Sequence, residues 1–386
     1  MNKQRSLLIL MGLLALVLGN ESRAQQTAPF RQADHTQQFL SFDYTNINDV
    51  IAGVAGGDAI VFVGEPLNGK VVALSRFNGR QIGQLPPPPN GFVLPFIMHS
   101  LGDGGVAVLD AGGLPQPFPF IPANPVIYEY AYSFSLKHGF SASLVRTISF
   151  AGVVVGFPED FVHLDDGRYL LSDAVLGGVW IVQPDGSIVP GIVPKSFDPQ
   201  DLIPTLAFCS TMPEVTVNGY PFVFTGSTLP GVSPLAVRSG NVYYYSPCAR
   251  GLYAFPLAIL SDDRAPYERA ADIRLIAPTP PEVEVEELLD FTFNPFNPSD
   301  RDLYAADPLK LQIIRIDLSN GERQVVASGP KLFDFPSSLA FLPTIGPVSE
   351  LAIVSNQQER TPLTNDAVSE TTFNLPFIVA KILIFP

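Results

Sequence analysis

Three observations predict an all-β chain and, more narrowly, a six-bladed β-propeller. A pattern of short apolar strands recurs six times between residue 47 and the C-terminus. Asn-Gly and Asp-Gly pairs stand between several of those strands and supply the positive φ that tight hairpins need. The composition points the same way: Pro (38), Gly (31) and Phe (28) abound, which is a turn- and strand-rich profile rather than a helical one.

Residues 1–24 read as a secretory signal peptide. Lys3 and Arg5 precede an apolar run from Leu7 to Leu18, and Ser22-Arg23-Ala24 puts small residues at the two positions a signal peptidase reads. The run, about 12 residues, falls short of the roughly 20 that span a bilayer. Residues 25–386 then form a single propeller domain, secreted or periplasmic. Cys209 and Cys248 could pair in such a compartment, or remain two separate buried thiols.

The six repeats follow in order. A lead-in and first strand recur as INDVIAGV (47–54), LPFIMHSL (94–101), PEDFVHLD (158–165), VSPLAVRS (232–239), LLDFTFNP (288–295) and PSSLAFLP (336–343). Second strands follow as AIVFVGEP, GVAVLDAG, RYLLSDAV, NVYYYSPC, DLYAADPL and ELAIVSNQ, and third strands run from VVALSR to the C-terminal IVAKILIF. Fourth strands are legible in five repeats, and the sixth reaches Pro386 without one. The N-terminal QQFLSFDY (37–44) is expected to supply it, pairing with the C-terminal blade, closing the ring and covering a bare sheet edge. Pro-rich insertions and the segment from Cys209 to Pro230 are expected as ordered loops on one face. The acidic IAPTPPEVEVEELL is expected as a short surface segment with helical character.

Strands that run up and down bring the start of each first strand and the end of each second strand to one face. The first column holds Asn48-Asp49, Pro95-Phe96, Glu159-Asp160, Ser233-Pro234, Leu289-Asp290 and Ser337-Ser338. The second holds Glu65, Asp110, Asp173, Pro247, Asp307 and Asn356. Carboxylates gathered around an axis repel one another unless a cation or hydrogen bonds relieve them. Oxygen donors of this kind suit a hard ion such as Ca²⁺ or Mg²⁺. Acids that end second strands commonly cap the turn that follows, and that is the preferred reading of Asp110, Asp173 and Asp307. For the inner set a solvated or mutually hydrogen-bonded rim is the alternative. His99 and His163 occupy one repeat position in adjacent blades. One of them could serve as a general base, and satisfied core histidines are the alternative.

The net charge of −14 and the lack of any basic cluster argue against nucleic acid and anionic membrane surfaces as partners. They favour a small-molecule ligand, cationic or neutral, in the channel mouth.

PEDFVHLDDGRYLLSD, SPCARGLYAFPL and LYAADPLKLQIIRIDLSNGERQVV resemble blade signatures of the gluconolactonase/regucalcin and strictosidine-synthase-like propellers. VAVLDAGG, IYEY and LVRTISF are similar to the insect yellow/royal-jelly propellers. The resemblance covers most of residues 45–386 in pattern. It implies a divalent ion, calcium or another, held by Glu, Asn and Asp at the starts of inner strands. Carried over, the metal ligands are Asn48, Asp49, Glu159 and Asp290. Asp290 sits one residue off, and Pro95, Ser233 and Ser337 depart from the pattern. The implied activity is a metal-dependent hydrolase of a lactone or ester. Its catalytic residues are drawn from Glu159, Asp160, His99 and His163. A metal-free condensing or cyclising enzyme on the same scaffold, and a non-catalytic ligand-binding propeller, stay open as alternatives.

Overall fold

The computed structural model describes residues 51–345 and 348–384, apart from 103, 114–123, 197, 210, 226–228 and 298–300, together with the strand Phe39–Tyr44. The 1–24 signal peptide and the Asn48 and Asp49 positions lie outside the described residues.

Six four-stranded antiparallel sheets follow one another along the chain. Their first strands are Ala52–Gly56, Pro95–Gly102, Pro158–His163, Leu235–Arg238, Asp290–Phe293 and Pro336–Ile345. Each first strand packs on the next, and the sixth packs on the first, so these six strands ring a central channel. This is a six-bladed propeller. The strand Phe39–Tyr44 lies antiparallel to Phe377–Ile384 as the outermost strand of the sixth sheet, with Phe39 opposite Ile382 and Tyr44 opposite Phe377.

Each interface between blades is an apolar cluster fed by alternate residues of the facing sheets, as the period of two requires. Between blades 3 and 4, Leu170, Ile181 and Ile192 meet Leu235, Val242 and Phe255. Between blades 6 and 1, Ala352, Val354 and Val379 meet Val61, Val63 and Val72. The sheets are therefore buried on both faces, which explains runs such as the fully buried Ile60–Glu65. Where inner strands crowd, the backbone must bend. Gly53 sits at φ 67°, and a Cβ there would come within 2.5 Å of the Phe96 carbonyl oxygen of the next blade.

The antiparallel register sets Pro158 opposite Asp173 and Pro95 opposite Asp110, so first-strand starts and second-strand ends share one face. That face carries a cap. In the connection between blades 3 and 4, a hairpin of Val215–Val217 and Tyr220–Phe222 turns at Asn218. Val217 and Phe222 are buried against Leu289 and Phe335 of the following blades. A disulfide from Cys209 to Cys248 ties one end of the cap to blade 4. The other end docks on the insertion in blade 6. There the Asn365 side chain bonds the Val223 amide and the Pro221 carbonyl, and Arg360 lies over the Tyr220 ring at 4.6 Å and pairs with Asp334 at 2.7 Å. The disulfide suits an oxidising, extracytoplasmic setting. No helix among the described residues is long and apolar enough to cross a membrane.

The acidic run before blade 5 differs from its expectation. Residues 279–289 form no helix, and Glu286 and Glu287 are buried rather than on the surface. The run leads straight into the inner strand at Asp290, so its last acids are carried inward with the chain.

Candidate functional site

The acids that end the second strands are structural. Asp173 accepts the amides of Gly156, Phe157, Val175 and Leu176 at 2.7, 3.1, 3.2 and 3.0 Å. Asp110 accepts those of Val93, Leu94 and Gly112. Asp307 accepts the Lys310 amide and the Gln312 side-chain amide. Each such carboxylate binds the turn after its strand or the connection entering its blade, satisfying donors that the sheet leaves open.

A second set joins the inner strands to one another. Asp160 accepts the Leu235 amide of blade 4 at 2.7 Å with one oxygen and its neighbour Phe161's amide, also at 2.7 Å, with the other. Asp290 accepts the Leu339 amide of blade 6 at 2.7 Å and the Ser338 hydroxyl at 2.9 Å. Ser338 in turn accepts the Val54 amide of blade 1 at 3.1 Å. Asp290 thus plays in blade 5 the part Asp160 plays in blade 3, which explains its one-residue offset from Glu159.

Glu159 is different. It makes no hydrogen bond among the described residues, and burial, then the charges of Asp160 and Asp290, raise its pKa to about 8. Asp290 is pushed up to about 7 by burial and by Asp160, against the pull of the Leu339 amide, His99 and Ser338. Glu287, which the sequence reading passed over as part of a solvated acidic stretch, is fully buried, and neither of its oxygens has a hydrogen-bond partner. Burial and the proximity of Glu159 hold its pKa well above the carboxylate range, with Ser233 pulling the other way. The signal for it was there: Glu-Glu runs directly into the apolar Leu-Leu-Asp-Phe of an inner strand.

His99 reaches this cluster from blade 2. Its Nε2 lies 3.6 Å from Asp160 Oδ1, and its ring meets the edge of Phe161 at 4.9 Å between centroids. The side chain keeps about a third of its surface (34%) open. Burial alone would lower its pKa, but Asp160 and, more distantly, Asp290 override that and leave it above the ordinary histidine value. His163 ends the inner strand of blade 3 that begins with Glu159 and Asp160, toward the opposite face, with its ring 4.8 Å from that of Tyr169. Burial leads in lowering its pKa, and the charge of His99 acts in the same direction. The two histidines are thus neighbours in effect, but only His99 joins the carboxylates.

The resemblance implies a divalent ion held by Asn48, Asp49, Glu159 and Asp290. Both oxygens of Asp160 and one of Asp290 are spent on amides and a hydroxyl. No three His, Cys, Asp or Glu side chains among the described residues gather as a metal-ligand group. Asn48 and Asp49 lie outside those residues. Of the ligands the resemblance implies, Glu159 and Asp290 are described, and one Asp290 oxygen is already engaged by Ser338 and Leu339.

No family model matches the sequence, and no match emerges among curated protein sequences. Solved structures do match. The major allergen Mala s 1 of Malassezia sympodialis is similar at TM-score 0.58 and 11% identity, over 89% of this chain and 95% of that one. The similarity establishes the fold. A gluconolactonase from Xanthomonas campestris matches at TM-score 0.49 and 12% identity over 90% of this chain and 89% of its own. A luciferin-regenerating enzyme matches at 0.49 and 11%, over 88% and 92%.

Proposed function

We propose that the chain is an exported enzyme that hydrolyses a lactone or a related ester, bound as a small molecule in the mouth of the channel. The observation that supports this reading is the pairing of His99 with Asp160 beside Glu159. Their environments push a histidine and a carboxylic acid toward complementary roles. Neutral His99 takes a proton from the attacking water. Asp160, fixed by two backbone amides, orients the ring and stabilises the imidazolium that forms. Water's oxygen bonds to the acyl carbon. As the ring C–O bond breaks, Glu159, still protonated near neutral pH, delivers its proton to the leaving alkoxide. His99 then returns its proton to Glu159, so the net change is one water consumed and one hydroxy acid formed.

The test is turnover of a panel of γ- and δ-lactones and aryl esters by the purified mature chain, with His99→Gln and Glu159→Gln alongside. Hydrolysis that disappears in both variants while thermal unfolding stays cooperative supports the reading. Hydrolysis that survives both ends it. Ligand capture without turnover would make the protein a binding propeller instead. Activity lost with a stoichiometric ion on chelation, and regained with Ca²⁺, would restore the metal-dependent route.

A further inference from the structure

The inner strands share an irregularity that the proposed reaction leaves unexplained. In blade 2, Pro95 lies opposite Asp110 and Ile97 opposite Leu109, so Phe96 is an extra residue in the ladder. Blade 3 repeats this: Pro158 faces Asp173, Asp160 faces Ser172, and Glu159 is left over. Gly53 in blade 1 and Ser337 in blade 6 are left over in the same way. A bulge of this kind frees one side chain from the pleat and re-aims it. All four extra residues fall at the starts of first strands, so they stand around one rim, at the mouth of the channel.

The four differ in what they bring there. Gly53 brings no side chain. Ser337 is buried, and its hydroxyl donates to the Val354 carbonyl of its own blade at 3.4 Å. Phe96 and Glu159 keep part of their surface open, and they belong to adjacent inner strands that pack on each other. Phe157, two residues before Glu159, links them: its ring meets that of Phe96 edge-to-face at 5.6 Å between centroids. Both rings are set on anchored backbone. Asp173 holds the Phe157 amide at 3.1 Å, and Asp110 holds the Leu94 amide, two residues before Phe96, at 2.8 Å. Leu94, Ala111 and Val175 pack with the two rings from the protein side. His99 follows three residues after Phe96 on the inner strand of blade 2. A partly open aromatic ring thus shares the rim with the acid and the strand with the base. A polyhydroxy lactone needs a polar partner for each hydroxyl it buries. Phe96 and Gly53 offer none, and the hydroxyl of Ser337 is engaged. Apolar surface is what this side of the rim presents.

We propose that Phe96 determines specificity, seating an aryl substituent of the substrate beside Glu159. The substrate class is then an aryl-bearing lactone or ester, not a sugar lactone. The reaction assigned to that substrate rests on the hydrolase reading above, whereas the apolar seat does not.

The test therefore separates binding from turnover. Binding is followed by titration calorimetry with 2-phenylcyclopentanone, which has the outline of an aryl γ-lactone and no bond to hydrolyse, and with D-glucose. Turnover is followed with α-phenyl-γ-butyrolactone and with γ-butyrolactone itself. Phe96→Ala and Phe96→Leu accompany wild type, and the leucine keeps apolar packing against Phe157 should the alanine variant unfold. Wild type is expected to bind the ketone and not glucose. Ketone binding should weaken about tenfold in Phe96→Ala and about fivefold in Phe96→Leu, where the aromatic contact alone is lost. The ratio of kcat/KM for the phenyl lactone over the parent lactone should fall by similar factors, whereas a residue that only holds the fold would lower both alike. Ketone binding that is absent in wild type, or unchanged in Phe96→Leu, overturns the seat, as does preferred binding of glucose. An unchanged kcat/KM ratio overturns the role in specificity. Ketone binding that depends on Phe96, with no hydrolysis of any lactone or ester, leaves the seat standing and removes the hydrolase reading alone.

Discussion

Two rows of acids face the same end of this propeller, and they differ in what the backbone offers them. Asp173, at the end of a second strand, is met by four amides; Glu159, at the start of the first strand in the same hairpin, is met by none. Both are carboxylates a short distance apart in one blade. The first is consumed by the turn it holds. The second stands among Asp160, Asp290 and Glu287 with its proton still attached near neutral pH. A carboxylate's role here follows from the count of free N–H donors around it, not from its residue type or its place near the axis.

The sharpest way to break the comparison is to neutralise each acid in turn. Glu159→Gln is expected to lower kcat by about 10²–10⁴, the usual contribution of a positioned general acid, while the unfolding midpoint stays level or rises. Asp173→Ala is expected to do the reverse. Four amides lose their acceptor inside a blade, and stability measured by urea unfolding should fall by about 3 kcal/mol. Its kcat per folded molecule should be unchanged. A Glu159→Gln protein that unfolds early with normal kcat, or an Asp173→Ala protein that stays stable, would erase the distinction.

Between these extremes lies Asp290, whose carboxylate ties blade 5 to blade 6 and yet faces the acid cluster. Asp290→Asn keeps one acceptor for the Leu339 amide. A loss of about 1 kcal/mol is expected, the net worth of a hydrogen bond to a charged group less its neutral replacement. Amide exchange should quicken at Leu339. An unchanged Leu339 amide would show that the tie carries no weight.

Much of this was legible in the sequence because it is local. Alternating strands and Asn-Gly or Asp-Gly turns such as those at Asn78-Gly79 and Asp185-Gly186 specify hairpins without help from distant residues, and six such units have few ways to bury both faces. The turn-capping role of Asp110, Asp173 and Asp307 was equally legible, since their partners lie within a blade and its entry. The inter-blade hydrogen bonds of Asp160 and Asp290 were not. Their partners, Leu235 and Leu339, are 75 and 49 residues away in the next blade. Glu287 was missed for a related reason. A run of alternating Glu and Val resembles a solvated stretch until the chain is seen to turn inward at Leu288.

The smallest predicted effect is on the pH dependence of stability, and its sign is the informative part. Glu159 rises from an ordinary 4.5 to about 8 and Asp290 from 3.8 to about 7 on folding. Each therefore holds its proton in the folded chain at pH values where the unfolded chain has released it. The stabilisation is complete below about pH 4 and is lost as pH rises through 7 and 8. A single proton sets a limiting slope of about 1.4 kcal/mol per pH unit. Glu159 is only partly buried, so its shift, and with it the pH window over which it contributes, is smaller than for a fully buried acid. Urea unfolding followed from pH 5 to 8.5 should show stability declining, and Glu159→Gln should flatten the decline without touching stability at pH 5. Kinetics supply the cross-check. Activity should need His99 deprotonated and Glu159 protonated, giving a narrow bell whose alkaline limb lies near pH 8 and vanishes in Glu159→Gln. A stability curve that climbs over this range would mean the acids are ionised in the folded protein, with a bound cation supplying the missing charge.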